Sequence, residues 1–379
     1  MKKSLSYIIV LLALCIVSCS KGEYTDAIPA NSTAIIQMDP KAMMDANSPF
    51  RSLVSSLISD DSEGIKGIDA SMPVYIFESA DGNIGICASI CDEDSFGELL
   101  SALHANNTAS ETKEINDATF SIVNNQWIAG YNSSALLIMG PVVGASEEAK
   151  MMKRMSHMLQ LDTERSIKSA ALWEHLNEAQ SPIRMVAQAN ALPEQMVVAF
   201  TIGAPKGTDP SDVLVEADIT FSENEILMTG KSCSYNIRVK QEMEKSYKVY
   251  RTITTDWTAT MNDSIMAGIF MNVDGKEYLP QIQANRALST MLMGSDAYDR
   301  IRDSQGNIAI LLQPKMDSKT QELSYAGKVL NLADESYTSI VPQEDRLIVC
   351  IDIKALPENM RNTILPFIGN KERITYKVK

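Results

Sequence analysis

Val213-Leu214-Val215-Glu216-Ala217-Asp218-Ile219-Thr220-Phe221, then Ser222-Glu223-Asn224-Glu225, then Ile226 through Cys233, is the stretch from which the fold class is read. Val213, Val215, Ala217, Ile219 and Phe221 alternate with Glu216, Asp218 and Thr220, so a strand here has one apolar face and one wet face. The polar turn then sends the chain back antiparallel to itself. The same grammar recurs outward. Val74 to Phe77 and Ile84 to Ile90 form a hairpin around Ser79-Ala80-Asp81-Gly82-Asn83, and further strands are expected near Ala34–Met38, Phe120, Trp127, Leu136–Met139, Met196–Ile202, Ala267–Val273, Ile308–Leu312 and Leu347–Ile353.

Helical stripes separate these strands. Asp39-Pro40 opens one helix, with proline in the first turn where a missing N–H is harmless. Phe96, Leu99, Leu100 and Leu103 share a face, with Asp94 or Ser95 as cap. Ser146 is placed to cap another helix, with Glu147 and Glu148 in its positive first turn. Further helices are expected over Ser169–Ala179, along Val239, Met243, Tyr247 and Tyr250, and from Pro280 to Met293. Hairpins interleaved with helices predict an α+β fold, a mainly antiparallel sheet with packed helices. The Gly-, Pro- and Asp-rich run Gly203–Asp212 divides the chain into two lobes, 27–205 and 206–379. Ile35-Ile36-Gln37-Met38-Asp39-Pro40-Lys41-Ala42-Met43 echoes Ile348-Val349-Cys350-Ile351-Asp352-Ile353-Lys354-Ala355-Leu356, which favours two similar lobes over one large sheet.

The N-terminus supplies an address. Lys2 and Lys3 precede an apolar run from Leu5 to Val17 that ends at Ser18-Cys19. A charged start and a short apolar core predict an export signal over 1–18, too short to span as a mature helix. Cys19 directly after Ser18 makes it a lipoprotein signal: cleavage leaves Cys19 as the lipidated N-terminus, with 19–26 as a polar tether. Acyl chains contribute about 0.8 kcal/mol per buried methylene, so several such chains hold a domain on a membrane.

The chain carries a formal charge of -14, and loss of Lys2 and Lys3 takes the mature form to about -16. A surface so acidic, without a basic cluster, excludes nucleic acid as a partner. Of six cysteines, Cys15 leaves with the signal and Cys19 is lipidated, leaving Cys87, Cys91, Cys233 and Cys350. Cys87 and Cys91 lie four apart in an alternating strand, about 13 Å of extended chain. A disulfide needs α-carbons within about 7 Å, so buried free thiols are expected here.

No assembled catalytic motif is present. The histidines are His104, His157 and His175, each on an expected helix. Trp173-Glu174-His175-Leu176-Asn177-Glu178 brushes against a metallohydrolase pattern but lacks a second histidine four residues on. Asp92-Glu93-Asp94-Ser95-Phe96-Gly97 opens like a calcium loop, yet Phe96 and Leu103 stand where ligands belong, which leaves a carboxylate-rich helix cap. Ser110-Glu111-Thr112-Lys113 has serine–lysine spacing in an extended segment that keeps the two groups apart. Met151, Met155 and Met158, with Met152 beside them, form a core-facing stripe in a chain holding 21 methionines. Trp127, Trp173 and Trp257 are too scattered to announce a stacking platform. No catalytic, cofactor-binding or metal-ligating residue is assigned, and Cys19 is the one site residue.

On Cys19-Ser20-Lys21, on Tyr24-Thr25-Asp26-Ala27-Ile28-Pro29-Ala30, on the strand ending Met38-Asp39 and on the hairpin from Ile219 to Cys233, the mature chain resembles an uncharacterised lipoprotein family of Bacteroidota-type bacteria carrying a domain of unknown function. The resemblance implies an anchored α+β protein and carries over no catalytic residue. In such bacteria a lysine and acidic residues after the lipidated cysteine direct export to the outer face; here Gly22 interrupts Lys21 and Glu23, which leaves the periplasmic and cell-surface faces both open. The expected function is that of a lipid-anchored outer-membrane protein of the cell envelope, non-catalytic, acting by binding or scaffolding. Its partners would be the membrane, through the lipid, and an envelope protein or a lipid or peptide ligand. The alternatives are an envelope hydrolase using dispersed carboxylates and a lipid or lipopeptide carrier.

Overall fold

The structure is a computed structural model and describes residues 23–40, 47–48, 66–177, 183–192, 197, 201, 203–262, 264–284, 289–290, 292, 296–316, 323–332 and 345–378. The signal segment 1–18, Cys19 and the start of the tether lie outside the described residues, as does most of the helix expected after Pro40. The first half contributes strands β1 (Ala34–Met38), β2 (Val74–Glu78), β3 (Ile84–Ser89), β4 (Lys113–Ile115), β5 (Ala118–Val123), β6 (Trp127–Tyr131), β7 (Ala135–Gly140) and β8 (Ile183–Gln188). Its helices are α1 (Glu93–Ala105), α2 (Ala145–Met158) and α3 (Ala171–Leu176). The second half contributes β9 (Leu214–Phe221), β10 (Glu225–Cys233), β11 (Tyr250–Arg251), β12 (Ala267–Asp274), β13 (Gln305–Met316), β14 (Leu323–Asn331), β15 (Leu347–Asp352) and β16 (Arg373–Val378). Between them lie α4 (Ile237–Tyr247), α5 (Gly275–Ala284), α6 (Ala297–Arg302) and α7 (Glu358–Ile368).

The α+β class and the mainly antiparallel pairing are as expected. The strands run in the order β14-β13-β12-β15-β16-β10-β9-β8-β1-β2-β3-β7-β6-β5-β4, with β11 set against β12. Only β10 and β16 pair in parallel among the described strands. The two halves share this one sheet, because β8 and β9 are hydrogen-bonded neighbours across the expected boundary, with Arg184 opposite Asp218 and Val186 opposite Glu216.

Each half keeps its own core, and the two largest cores lie on opposite faces of the shared strands. Val213, just before β9, and Val215 and Ala217 of β9 join a cluster with Met243, Tyr278, Ile301 and Ile310 of the second half. Leu214 of β9 and Val186 of β8 join Phe120, Leu137, Met155 and Leu172 of the first half. The even face of β9 is therefore covered, and Glu216, expected on the wet side, is only 2% exposed. The cause is α3, which packs against β8, β1 and β9 and seals that face.

Local chemistry shows why the elements begin where they do. Asp92 caps α1, its carboxylate accepting from the Ser95 amide at 3.1 Å, two residues before the expected cap. Gly144, at a φ of 86°, precedes α2, and Ser146 falls inside the first turn. Helix α5 begins at Gly275, earlier than Pro280, because Asp274 accepts from the Lys276 amide at 3.0 Å. A Cβ at Gly275 would stand 1.6 Å from the Ile301 carbonyl oxygen, so that corner requires glycine. Tyr250 leaves the helical stripe and pairs in β11. Most of the strand expected at Met196–Ile202 lies outside the described residues; of the two that are described, Val197 is helical and its carbonyl accepts the Thr201 amide at 2.9 Å, while the strand next to the expected boundary is β8.

The tether is also shorter than expected. Tyr24–Ala27 forms a buried 3-10 turn, with the Tyr24 hydroxyl donating to the Pro73 carbonyl at 2.8 Å. Asp26 accepts from Ser166 Oγ at 3.1 Å and pairs with Lys168 at 3.2 Å. An aromatic–carboxylate entry of this kind is satisfied by residues 49 and 140 positions away, which is why it reads locally as a polar linker.

Candidate functional site

A polar cluster sits where the two halves meet. Glu216 comes from β9, Lys231 and Cys233 from β10, Arg184 from β8, and His175 from the last turn of α3. In an antiparallel pair residues at even offsets share a face; Cys233 stands opposite Leu214 and Lys231 opposite Glu216, so both point to the side covered by α3. A carboxylate buried there needs compensation. Arg184 donates one guanidinium N–H to Glu216 Oε2 at 3.0 Å and another to Asp218 at 3.2 Å. It also donates to the His175 carbonyl at 3.0 Å, which satisfies an acceptor in the last turn of α3. Arg184 Nε has no partner among the described residues.

Glu216 Oε1 is the focus of the other donors. His175 Nδ1 lies 3.0 Å away, Cys233 Sγ 3.1 Å and Lys231 Nζ 3.6 Å. Sulfur and imidazole are 4.0 Å apart. A thiol nucleophile needs its base within about 3.2 Å, with the acid behind the imidazole. Here the carboxylate oxygen lies between thiol and imidazole, so the order is wrong for that relay. What the trio does offer is nitrogen, oxygen and sulfur donors, all within 4.8 Å of one another.

The residues singled out by sequence take ordinary places. His104 Nδ1 lies 3.0 Å from the Ala109 carbonyl, and His157 is exposed on α2. Asp92 is a cap, while Phe96 and Leu100 are buried under α1. Ser110 Oγ is held at the sheet edge, donating to the Glu111 carbonyl at 3.0 Å and accepting from the Ile122 amide at 2.9 Å, while Lys113 is exposed. Met151, Met152, Met155 and Met158 all enter the first-half core. Trp173 packs on Tyr75, Trp257 on Phe270, and Trp127 lies in β6, so the three do not converge. Of the trio, only His175 stands in a ligand-like sequence pattern, and its partners lie 41 and 58 positions further along the chain. No local spacing could have disclosed them.

None of the four described cysteines is in a disulfide. Cys87 is buried, donates to the Tyr24 carbonyl at 3.3 Å, and burial pushes its thiol far above the usual range. Cys350 is pushed up to about 11 by burial. Cys91, expected to be buried, is exposed, because it lies just past β3 in the approach to α1. With native protein at neutral pH, maleimide is therefore expected to modify Cys91 within minutes, and Cys87 and Cys350 only after denaturation. Peptide mass mapping checks this; native labelling of Cys87 at the rate of Cys91 would contradict the packing.

Comparison with known proteins adds the following. No curated protein matches the chain. A solved structure titled "Structure of crystal form IV of TP0453" is similar at 12% identity, covering 55% of this chain and 79% of that one with a TM-score of 0.33, too low to carry an argument. The profile of a domain of unknown function, DUF4836, matches residues 41–308. That match takes in strands from both halves, β2 to β12, and the whole of the His175–Glu216–Cys233 cluster, and the chain belongs to the DUF4836 family.

Proposed function

We propose that this is a lipid-anchored protein of the outer membrane, acting by non-catalytic binding or scaffolding in the cell envelope. The observation that carries the reading is how soon after Cys19 the folded body begins. Lys168 pairs with Glu23 and Asp26, and the Ile167 amide donates to the Ile28 carbonyl at 2.7 Å. Glu23 is four residues along from Cys19, a reach of at most about 14 Å. An acylated Cys19 would therefore hold the body close against the lipid surface, with little freedom to turn away from it. Such a mount suits a fixed binding surface. The Glu216 carboxylate between the Cys233 thiol and the His175 imidazole supports binding over catalysis, since that order does not make a thiol–base relay.

Palmitate labelling followed by fractionation tests the anchor. The native chain is expected to take up label and sediment with membranes, and a Cys19→Ala chain to do neither. Label or membrane retention in the Cys19→Ala chain would overturn the reading.

A further inference from the structure

We propose that His175 Nδ1, Glu216 Oε1 and Cys233 Sγ form a zinc-binding site that clamps α3 of the first half to the β9–β10 hairpin of the second. The three donors stand 3.0, 3.1 and 4.0 Å apart, and a point equidistant from them lies about 2.0 Å from each. Zinc bonds to imidazole nitrogen and carboxylate oxygen at about 2.0–2.2 Å and to thiolate at about 2.3 Å. An ion slightly out of the plane of the trio meets all three lengths and keeps a fourth position for water or an added ligand.

The donor set selects the metal. A thiolate disfavours calcium and magnesium, which take oxygen ligands, while nitrogen, oxygen and sulfur together suit zinc. Thiolate and carboxylate bring two negative charges to balance the ion. On binding, Cys233 releases its proton to solvent and His175 carries its proton on Nε2, leaving the Nδ1 pair for the metal. Arg184 stays on Glu216 Oε2 and keeps the carboxylate oriented from behind. Lys231, whose Nζ lies 3.6 Å from Glu216 Oε1, opposes the ion, but its side chain is 55% exposed and can swing into water. The His175 side chain is 21% exposed and Cys233 is half-buried, so an ion can reach them without unfolding the sheet.

Cobalt is the spectroscopic probe, used on the full chain extracted in detergent. One cobalt per chain with a thiolate-to-metal charge-transfer band is expected, displaced by one equivalent of zinc. The band is expected to vanish in Cys233→Ser and to persist in Cys91→Ser, and Lys231→Met is expected to tighten binding. Zinc is also expected to slow alkylation of Cys233 by roughly tenfold or more while Cys91 reacts as before, a readout that needs no variant. No band, a band that survives Cys233→Ser, or zinc-independent alkylation of Cys233 would each overturn the proposal. The anchor reading stands or falls separately, since none of these measurements depends on Cys19.

Discussion

Replacing Arg184 by methionine is expected to lower the stability of the protein by about 3–5 kcal/mol, one of the two largest losses foreseen for a single substitution here. Arg184 is 6% exposed and Glu216 2%, and the pair is 3.0 Å apart between two strands at the middle of the sheet. Removing the guanidinium leaves a buried carboxylate facing only His175, Cys233 and the outer ammonium of Lys231. It also removes the guanidinium donor of the His175 carbonyl, which keeps the Asn177 amide. Because β8 belongs to the first half and β9 to the second, the damage falls on the junction and not on one core alone. The double variant Arg184→Met/Glu216→Leu is expected to recover most of the loss, since a buried ion pair exchanged whole for apolar groups is near neutral. Urea unfolding with unchanged slope measures both. A loss below about 1 kcal/mol in the single variant would mean that water reaches the pair, contrary to its burial.

Phe120→Ala is expected to cost a similar amount, about 3–5 kcal/mol, for a different reason. Phe120 is fully buried in β5, and its cross-strand partner on β6 is Gly130. The ring lies over that glycine: a Cβ at Gly130 would stand 2.4 Å from a ring carbon and 3.2 Å from the Met155 methyl. The aromatic ring thus fills the space that a side chain at residue 130 would occupy. Truncation opens a cavity beneath α2, while Gly130→Ala alone overpacks the same place by about 1–3 kcal/mol. Together the two changes should partly cancel, the added methyl entering the void. A double-mutant cycle measures the coupling. Strict additivity would show that Phe120 and Gly130 do not share one packing site.

Much of the fold was legible because its signals are local. The β2–β3 and β9–β10 hairpins alternate cleanly about polar turns, and both form in the expected register region. The Met151–Met158 stripe faces the core as its helical period demands. Boundaries slipped where a cap competed with its neighbours, as when Asp92 displaced Asp94 and Ser95 at the head of α1. β8 went unread because Ile183-Arg184-Met185-Val186-Ala187-Gln188 is buried on both faces, which removes the alternation that marks a half-wet strand. Glu216 misled for the same reason: in sequence a charge on alternate positions signals solvent, and only α3 folding over β9 makes it an interior group.

What the sequence determined by itself was the α+β class, the hairpins, the helix faces and the acidic surface, all set by neighbours within a few residues of one another. What only the tertiary structure decided was that two halves share one sheet with their main cores on opposite faces, and that His175, Glu216 and Cys233 meet there. Contacts of that kind depend on which strand edges pair and which helix covers them. Loop closure over tens of residues leaves no periodic trace in the chain for such pairings to be read from.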